Sequence, residues 1–391
     1  MNKSILFLTN AYPDFEASYR GVFIRKMAMF LQREGYEISV VTPKIYGESR
    51  LFEQRDGIKV YRFPFFAGNK LLIEYPKIPY FRMLLYYMTG TLFVPFVMLR
   101  NQCDLIHVHW AIPTGPLAIL AGFLLRKPFL VTIHGSDLRM ATGDSPLLRK
   151  VFVCVCRRAR RITCVSKTQK RELEELGIDG TTISTFPMGI EEDFLKEGMK
   201  RERRSNGQSL TILSNRNLLP DYNVSLLIRA VPYVLQEEPG ARFLIAGSGS
   251  EKENLEREAV ALKVNPSVRF LDRVAHEEMA NLLAQADVYV STSLHDGTSV
   301  SLLEAMAAGT FPVVTDIPAN REWIKDGQNG FLVPARDEKL LARRIVDALR
   351  NRKLLQESRA TNFALVKENA LWPSVIRKTE EFYLEILGLK N

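Results

Sequence analysis

The chain has 391 residues, which is enough for two domains of ordinary size. Its 46% apolar and 25% charged residues are typical of a soluble globular protein, and no low-complexity tract or short repeat is visible. The net charge of +9 is compatible with phosphate-bearing small molecules, anionic lipid or nucleic acid, and charge alone does not choose among them. The four cysteines form no C-x-x-C pair, which favours a reduced, cytosolic compartment.

The first half of the chain alternates short apolar runs with segments of helical periodicity. The opening "MNKSILFLTNAYP" has an apolar run too short for a signal peptide, and it predicts a buried strand from Ser4 to Thr9. A helical pattern follows in "GVFIRKMAMFLQREGY". Further strands are predicted in "EISVVTP", "KVYRF", "DLIHVHW", "FLVTIHG" and "RITCVS", with helices at about 116–125 and 151–160. This alternation predicts a parallel sheet that is covered on both faces.

Residues 83–99 form a 17-residue segment without a charge, flanked by Arg82 and Arg100. This length is at the lower edge for a membrane span, which needs ~20 residues. Because Pro95 and polar or small residues interrupt the segment, we expect a buried helix or one that leans on a membrane rather than a true span. The basic cluster Arg157–Arg161 is either a solvated helix end or a contact for anionic lipid.

A charged, turn-prone segment interrupts the alternation at residues 190–208 and predicts a linker. The alternation then restarts with the strand "LTILSNR" and continues through "ARFLIAGSG", "VRFLD", "DVYVSTS" and "FPVVTD", each followed by a helical pattern. The expected fold class is α/β, with two Rossmann-like domains at 1–189 and 209–371. We expect them to face each other across a cleft, because ligands of such sheets bind beyond the carboxyl ends of the strands.

The stretch "HDGTSVSLLEAMAAG", residues 295–309, predicts a helix whose start binds an anion. "SLLEAMAAG" consists of good helix formers and ends at a glycine, and a threonine or serine before it is a natural N-cap. The first-turn amides have no partner within the helix and, together with the helix dipole, suit a phosphate. The cap candidates and first-turn residues are Thr298, Ser299, Val300 and Ser301.

Two carboxylates, Asp296 and Glu304, lie eight positions apart around this helix start. Glu304 is one to two turns inside the helix, where it can accept hydrogen bonds from two vicinal hydroxyls such as those of a ribose. Asp296 precedes the turn, on the opposite side of the anion site. The stretch can therefore hold a sugar hydroxyl, a phosphate and a ribose in a row; the alternative is a capped surface helix with solvated acids.

Two further features follow predicted strands of the second domain. Gly247 and Gly249 lie between a strand and a helix in "AGSGSE", but tight packing also explains a lone G-x-G, and no third glycine completes a dinucleotide fingerprint. Arg216 ends the strand "LTILSNR", and its guanidinium can pair with a phosphate through two parallel hydrogen bonds. All three residues are expected at the same edge of the sheet.

These stretches resemble the retaining glycosyltransferases of family 4, which have the GT-B fold. The family signature is a carboxylate, seven residues, and a glutamate followed by Ala-Met-Ala, as in "HDGTSVSLLEAMAAG". "YPDFEASYRGVFIRKMAMFLQREGYEISVVTP" resembles the family's glycine loop, and "DLIHVHWAIPTG" and "VTIHGSDL" its middle strands. "PMGIEEDF" resembles the crossing into the second domain, and "LWPSVIRKTEEFYLEIL" the last helix, which would return 372–391 to the first domain. The likeness extends over nearly the whole chain.

The resemblance implies transfer of a sugar from a nucleotide-diphosphate sugar, with retention of the anomeric configuration and without a metal or other cofactor. The acceptor would be a glycan or lipid-linked glycan in cell-envelope polysaccharide synthesis. The enzyme would be cytoplasmic, or peripheral on the inner face of the membrane, with no nucleic-acid partner. The implied catalytic residues are His134, Asp296 and Arg216, and the implied donor-binding residues are Gly21, Gly247, Gly249, Thr298, Ser299, Val300, Ser301 and Glu304.

Three residues depart from the family pattern. The first signature carboxylate is Asp296, where glutamate is commoner and one methylene longer. Tyr222 stands where a lysine usually follows the arginine by six positions, so one positive charge of the diphosphate site is missing. Asn215 replaces the glycine that usually precedes the arginine. The neutral Tyr222 is compatible with a non-standard donor or acceptor geometry.

Other functions remain open at this stage. A GT-B nucleotide-sugar epimerase is the nearest rival enzyme, and Tyr222 motivates a non-catalytic sugar- or lipid-binding module. A dehydrogenase is disfavoured because the dinucleotide fingerprint is incomplete. His107 and His109 are interpreted as structural or acceptor-lining residues, whereas His134 follows a strand in H-G-S-D and is assigned to function.

Overall fold

The computed structural model describes residues 3–15, 18, 20–69, 79–200 and 210–389. The chain forms two compact units. The first comprises Met1–Phe186 together with Val375–Asn391, and the second comprises Pro187–Ser374. Each unit has its own largely parallel sheet with helices between the strands, which confirms the α/β fold class that the alternation of apolar runs predicts.

The first unit is built on one sheet. Its strands are β1 (Ser4–Thr9), β2 (Glu37–Lys44), β3 (Phe52–Arg55), β4 (Ile58–Pro64), β5 (Leu105–His109), β6 (Phe129–Ile133), β7 (Arg161–Cys164) and β8 (Ile183–Thr185). Among the described residues they follow the order β3-β4-β2-β1-β5-β6-β7-β8. Of the strand pairs in the described part of this sheet, the edge pair β3–β4 is antiparallel and the others are parallel. The sequence pattern did not predict β3. The central strands β1, β5 and β6 are buried along their whole length, as expected for a sheet covered on both faces.

The helices of the first unit cover that sheet. They are α1 (Val22–Arg33), α2 (Tyr80–Arg100), α3 (Gly115–Leu125), α4 (Ser136–Thr142), α5 (Pro146–Arg158) and α6 (Lys167–Glu175). The final helix, α15 (Trp372–Ile386), belongs to the first unit from Val375 onward. Its Tyr383 is buried and reaches His107 on β5, which ties the end of the chain into this core.

Helix α2 contains the uncharged segment and is long and apolar enough to cross a membrane by length and composition. One face of the helix is buried and includes Gly90 and Val94. A Cβ at Gly90 would lie 2.7 Å from a methyl group of Leu117, so the glycine lets α2 pack closely on α3. The opposite face carries large apolar side chains that are exposed in the first unit.

The second unit has a fully parallel sheet. Its strands are β9 (Thr211–Ser214), β10 (Arg242–Ala246), β11 (Val268–Asp272), β12 (Val288–Ser291), β13 (Phe311–Thr315) and β14 (Phe331–Val333). Among the described residues the order is β11-β10-β9-β12-β13-β14. Because β9 lies between β10 and β12, the loops that follow these three strands meet at one edge of the sheet.

The helices of the second unit pack on both faces of its sheet. They are α7 (Glu192–Lys200), α8 (Val224–Glu237), α9 (Lys252–Ala261), α10 (His276–Gln285), α11 (Val300–Ala307), α12 (Pro318–Arg321), α13 (Glu338–Arg350) and α14 (Arg352–Asn369). Helix α11 is almost completely buried, which explains its run of alanines and leucines. The sequence analysis did not predict the long α14, which packs against α11.

The linker predicted at 190–208 is partly a helix. Residues Glu192–Lys200 form α7, because Phe194 and Leu195 give this charged segment a buried face that the sequence analysis overlooked. A Cβ at Gly198 would lie 2.5 Å from the Ala307 carbonyl oxygen, so α7 packs tightly against α11. Residues 201–208 of the predicted linker lie outside the described residues.

Candidate functional site

The sequence-predicted residues of the second unit converge at the carboxyl edge of its sheet. Arg216 follows β9, Gly247 follows β10, and Asp296 lies in the loop after β12 that leads into α11. Ser299 is the N-cap of α11, and its hydroxyl accepts a hydrogen bond from the Leu302 amide at 3.3 Å. The amides of the first turn are therefore oriented toward this edge, where the helix dipole favours an anion.

Arg216 joins the strand loop to the helix start. Its Nη1 donates to Ser299 Oγ at 2.9 Å and its Nη2 donates to Asp296 Oδ2 at 2.6 Å. The side chain is 8% exposed. Burial by itself lowers the pKa of Arg216, but the Asp296 carboxylate and neighbouring tyrosines raise the pKa above its ordinary value. The guanidinium is thus a fixed positive charge beside the first turn of α11, and its two Nη atoms together carry four N–H donors.

Tyr222 lies against the same guanidinium. Its ring centroid is 4.4 Å from Arg216 Cζ, within the range of a cation–π contact. Tyr222 ends a short 3₁₀ turn before α8 and packs against the core of the unit. Its backbone carbonyl accepts a hydrogen bond from Thr292 Oγ1 at 3.1 Å. The aromatic ring therefore supports Arg216 at the sequence position where the family pattern has a second cation.

The two glycines after β10 are required by close backbone packing. A Cβ on Gly247 would lie 2.3 Å from the Arg216 carbonyl oxygen, and one on Gly249 would lie 2.1 Å from the Leu218 carbonyl oxygen. Gly247 also has a positive φ of 149°, which disfavours other residues. The glycines thus let the loop after β10 pack closely on the backbone from Arg216 to Leu218, as the packing interpretation of the G-x-G motif expects.

Glu304 lies on the second turn of α11 and is 7% exposed. Its Oε1 is 3.9 Å from Nδ1 of His276, and Nε2 of that histidine is 2.6 Å from Glu191 Oε2. Sequence reasoning did not assign His276 or Glu191 to the site. The sequence could have indicated His276, because it begins the helix that follows the predicted strand β11. Glu191 comes close to it because Glu191 precedes α7, which packs on both α10 and α11.

The sequence-predicted residues of the first unit form a separate group. Gly21, at φ 67°, is the N-cap of α1, and a Cβ there would lie 2.2 Å from the Ala11 carbonyl oxygen. Two residues later, Phe23 packs against His134, with ring centroids 5.2 Å apart. Trp110 also packs against the imidazole, with ring centroids 4.5 Å apart, and its own ring centroid lies 6.1 Å from that of Phe23. The start of α1 and the residues after β5 and β6 therefore enclose His134, which is half-buried.

His134 is linked to the histidines of β5, a relation that sequence reasoning did not predict. Its Nε2 is 3.1 Å from Nδ1 of the buried His109. Burial lowers the pKa of His134 to about 3, so the ring is neutral near pH 7. The next residue, Gly135, donates its amide to Asp137, which also accepts from the Ala111 amide at 2.8 Å. Asp137 therefore fixes the two loops that carry Trp110 and His134.

The loop before Gly21 is anchored by a buried ion pair. Arg20 donates from Nε and Nη2 to Asp14 at 2.7 and 2.9 Å, and from Nη1 to the Asn10 carbonyl oxygen at 2.7 Å. Charge-assisted bidentate pairs of this kind fix geometry well. The ends of the loop that leads into α1 are thus held together. Among the described residues, no group of three or more His, Cys, Asp or Glu side chains is placed to hold a metal ion.

Two family profiles match the chain. The profile described as Glycosyltransferase Family 4 matches residues 21–194, and the profile described as Glycosyl transferases group 1 matches residues 196–362. The first match includes Gly21 and His134. The second includes Arg216, Asp296 and Glu304. The two matches together span most of both units.

Two relatives illustrate the similarity in sequence. A phosphatidyl-myo-inositol mannosyltransferase of Mycobacterium tuberculosis is 28% identical over 254 residues, which are 64% of this chain and 64% of the relative. The match thus covers less than two thirds of that relative's length. An N-acetyl-alpha-D-glucosaminyl L-malate synthase of Bacillus anthracis is 25% identical over 294 residues, which are 74% of this chain and 76% of the relative.

The fold is similar to that of solved glycosyltransferase structures. Anabaena HepE, in a crystal structure with UDP, aligns with a TM-score of 0.76 and 18% identity over 98% of this chain and all of that chain. This likeness shows the fold, which is of the GT-B type. With its two profile matches, two α/β units that each contain a largely parallel sheet, and the carboxylate–helix–glutamate signature in the second unit, the chain belongs to glycosyltransferase family 4.

Proposed function

We propose that the protein is a retaining, metal-independent hexosyltransferase that moves a sugar from a nucleotide-diphosphate sugar to a glycan or lipid-linked glycan. The acceptor would serve cell-envelope polysaccharide synthesis. The observation that carries the proposal is the anion site of the second unit, in which Arg216, the Ser299 cap and the first-turn amides of α11 converge. A diphosphate leaving group needs such fixed positive groups when it departs. The UDP complex of HepE supports a nucleotide donor by analogy.

Each proposed role follows from position at the sheet edge. Arg216 and the helix start stabilise the departing diphosphate. Glu304 accepts hydrogen bonds from the ribose hydroxyls, since it lies one turn further along α11. Asp296 contacts hydroxyls of the transferred sugar, and His134 of the first unit donates to a substrate oxygen. Gly21 lets its loop approach the donor diphosphate, and the amides after Gly247 donate to that diphosphate.

The test begins with the donor. Nucleoside diphosphates and nucleotide sugars are screened by thermal shift, and the best donor is then incubated with acceptors and followed by proton NMR. We expect the anomeric configuration of the donor to be kept in the product, with the same rate in excess EDTA. Inversion would contradict retention, and a rate that EDTA abolishes and divalent cations restore would contradict metal independence. Donor epimerisation without transfer would instead support the rival epimerase.

The proposed acceptor is membrane-bound, because the first unit exposes a large apolar helix face. At i, i+4 spacing, α2 exposes side chains that include Leu84 (56%), Met88 (57%), Leu92 (77%) and Phe96 (52%). Exposed Phe123 and Leu124 end the neighbouring α3. Basic residues flank this surface, which suits anionic head groups. The mycobacterial relative is named for phosphatidyl-myo-inositol, a phospholipid, which is consistent with this choice. The protein would be cytoplasmic and peripheral on the inner face of the membrane.

Liposome co-sedimentation tests the membrane proposal. Binding should rise with anionic lipid and fall with salt, since apolar contact and charge act together. Leu92→Glu should abolish binding, because it places a charge in the exposed apolar face. Val260→Glu is the matched control, since Val260 is 60% exposed on α9 of the second unit. Equal binding of both variants would contradict the proposal that the exposed face of α2 binds the membrane. If the unaltered protein does not bind liposomes at low salt, the acceptor is instead a soluble glycan.

A further inference from the structure

The first unit contains a row of three imidazoles that the proposed reaction leaves unexplained. The rings of His107 and His109 stack with centroids 4.3 Å apart. Those of His109 and His134 lie side by side, with centroids 5.3 Å apart and planes that differ by 25°. His107 and His109 are buried, whereas His134 is half-buried. The row therefore runs from the interior of the unit to His134, the histidine to which the family resemblance assigns a function.

The inner end of the row is fixed by hydrogen bonds. His107 Nδ1 is 2.6 Å from the Tyr383 hydroxyl, and its Nε2 is 2.7 Å from Thr132 Oγ1. The Thr132 hydroxyl is in turn 2.6 Å from that of Thr163. Both nitrogens of His107 are thus occupied by partners on β6 and α15. Within the part of the chain that the structure describes, His107 meets His109 through the stacking of the two rings, and Nδ1 of His109 is left to face His134.

The protonation of His109 follows from its partners. Burial lowers the pKa of all three histidines, so near pH 7 each ring carries a single proton. His109 Nε2 is buried and has no hydrogen-bond partner in the part of the chain that the structure describes. A proton there would be an orphaned buried donor, which is rarer than an unpaired acceptor. The proton is therefore on Nδ1, which lies 3.1 Å from His134 Nε2 and donates to it.

We propose that His109 is a positioning residue that holds His134 in the Nδ1–H tautomer, so that His134 donates a hydrogen bond to a substrate oxygen and takes up no proton during transfer. In this arrangement Nε2 of His134 is occupied as an acceptor, and Nδ1, on the other side of the ring, carries the donor. The substrate contact rests on the proposed function, whereas the tautomer rests on the contacts within the first unit.

Nitrogen-15 NMR of the imidazoles tests the tautomer directly. The full chain is labelled at its 5 histidines, and long-range proton–nitrogen correlations are recorded near pH 7. His134→Gln identifies the signals of His134. We expect a protonated Nδ1 and an unprotonated Nε2 on His134. A protonated Nε2 on His134 in the unaltered protein would overturn the inference.

Two substitutions at position 109 separate the hydrogen bond from the ring. His109→Phe keeps an aromatic ring but removes the donor, so His134 should shift to a mixture of tautomers. His109→Asn places an amide N–H near the position of Nδ1 and should keep the Nδ1–H form. His107→Phe is the matched control, because it alters a buried ring of the same row that bonds to Tyr383 and Thr132 rather than to His134. Thermal unfolding of each variant reports whether the unit folds.

Activity distinguishes the inference from the function on which it rests. His109→Phe should lower kcat about tenfold with little change in the donor KM, and His109→Asn should recover most of the loss. An unchanged tautomer in folded His109→Phe would overturn the positioning role. If His134→Ala keeps full turnover while the tautomer is as expected, the role of His134 in transfer fails and the positioning by His109 stands.

Discussion

Arg216 and Asp296 form a direct ion pair, with Nη2 and Oδ2 2.6 Å apart, so the cation and one anion of the candidate site neutralise each other. Both side chains are largely buried, at 8% and 16% exposure. A diphosphate that approaches Arg216 must share the guanidinium with this carboxylate. In the proposed reaction, the pair would moderate the affinity of the site for a diphosphate product and would orient Asp296 toward the transferred sugar.

Asp296→Asn should tighten the binding of nucleoside diphosphates while it lowers turnover. The amide removes a negative charge next to the anion site but keeps an oxygen that accepts from Arg216. We expect affinity for the preferred nucleoside diphosphate to rise roughly threefold to tenfold, measured by calorimetry. Weaker binding in the variant would contradict this prediction. It would show that the carboxylate favours diphosphate binding by positioning Arg216 more than it disfavours binding by charge repulsion.

Tyr222 should act through Arg216. Tyr222→Leu removes the ring that lies 4.4 Å from the guanidinium, whereas Tyr222→Phe keeps it. A cation–π contact contributes roughly 0.5–2 kcal/mol, so Tyr222→Leu should lower kcat about tenfold and Tyr222→Phe should be near the unaltered enzyme. Steady-state kinetics with the preferred donor measure both. Equal activity of the two variants would mean that the stack has no part in transfer.

Glu304 should bind the ribose of the donor. Glu304→Ala should weaken nucleotide binding by roughly 1.5–3 kcal/mol, the range for hydrogen bonds to a charged group. Calorimetry with the ribose and 2′-deoxyribose forms of the preferred nucleoside diphosphate is the measurement, since the variant should bind the two forms more equally. A variant with unaltered affinity and unaltered preference would remove Glu304 from the ribose site. Glu197→Ala, at a side chain on α7 that pairs with Lys200, is a control on a neighbouring helix.

Acid should destabilise the first unit because its histidines are buried in the neutral form. Burial lowers the pKa of His107 to about 3, below the ordinary value of about 6.5, so the unfolded chain binds the proton first. The stability is present above about pH 6.5 and is lost as the pH falls toward 3, because the unfolded chain binds protons that the folded unit excludes.

One buried acid works in the opposite direction. Burial raises the pKa of Asp137 to about 6, so between about pH 4 and 6 the folded form binds more protons than the unfolded form. Asp137 therefore opposes the loss of stability as acid is added through that window. Urea unfolding between pH 5 and 7.5 should show lower stability at low pH, and Asp137→Asn should make the loss steeper. A flat profile in Asp137→Asn would mean that the histidines bind protons as readily in the folded unit as in the unfolded chain.

The sequence by itself determined the two parallel α/β units and the start of α11. Continuous apolar runs that alternate with 3.6-residue periodicity permit few other architectures. Thr298 and Ser299 precede good helix formers, so local chemistry predicts a cap at one of them, and the structure has the cap at Ser299. Segment 192–200 escaped detection because a short amphipathic helix with many charges resembles a linker until its partner helix is known. Its buried face depends on α10 and α11, which lie about 80 to 115 residues further along the chain.

Only the tertiary structure decided which polar groups meet. His109 and His134 are 25 positions apart, Arg216 and Asp296 are 80 apart, and His107 meets Tyr383 across 276 positions. Such contacts depend on strand order and on the register of neighbouring strands, which local periodicity does not encode. The physical reason is that apolar periodicity reports the burial of each side chain by itself. A hydrogen bond or an ion pair requires two particular groups within about 3 Å of each other, and the fold decides which groups meet.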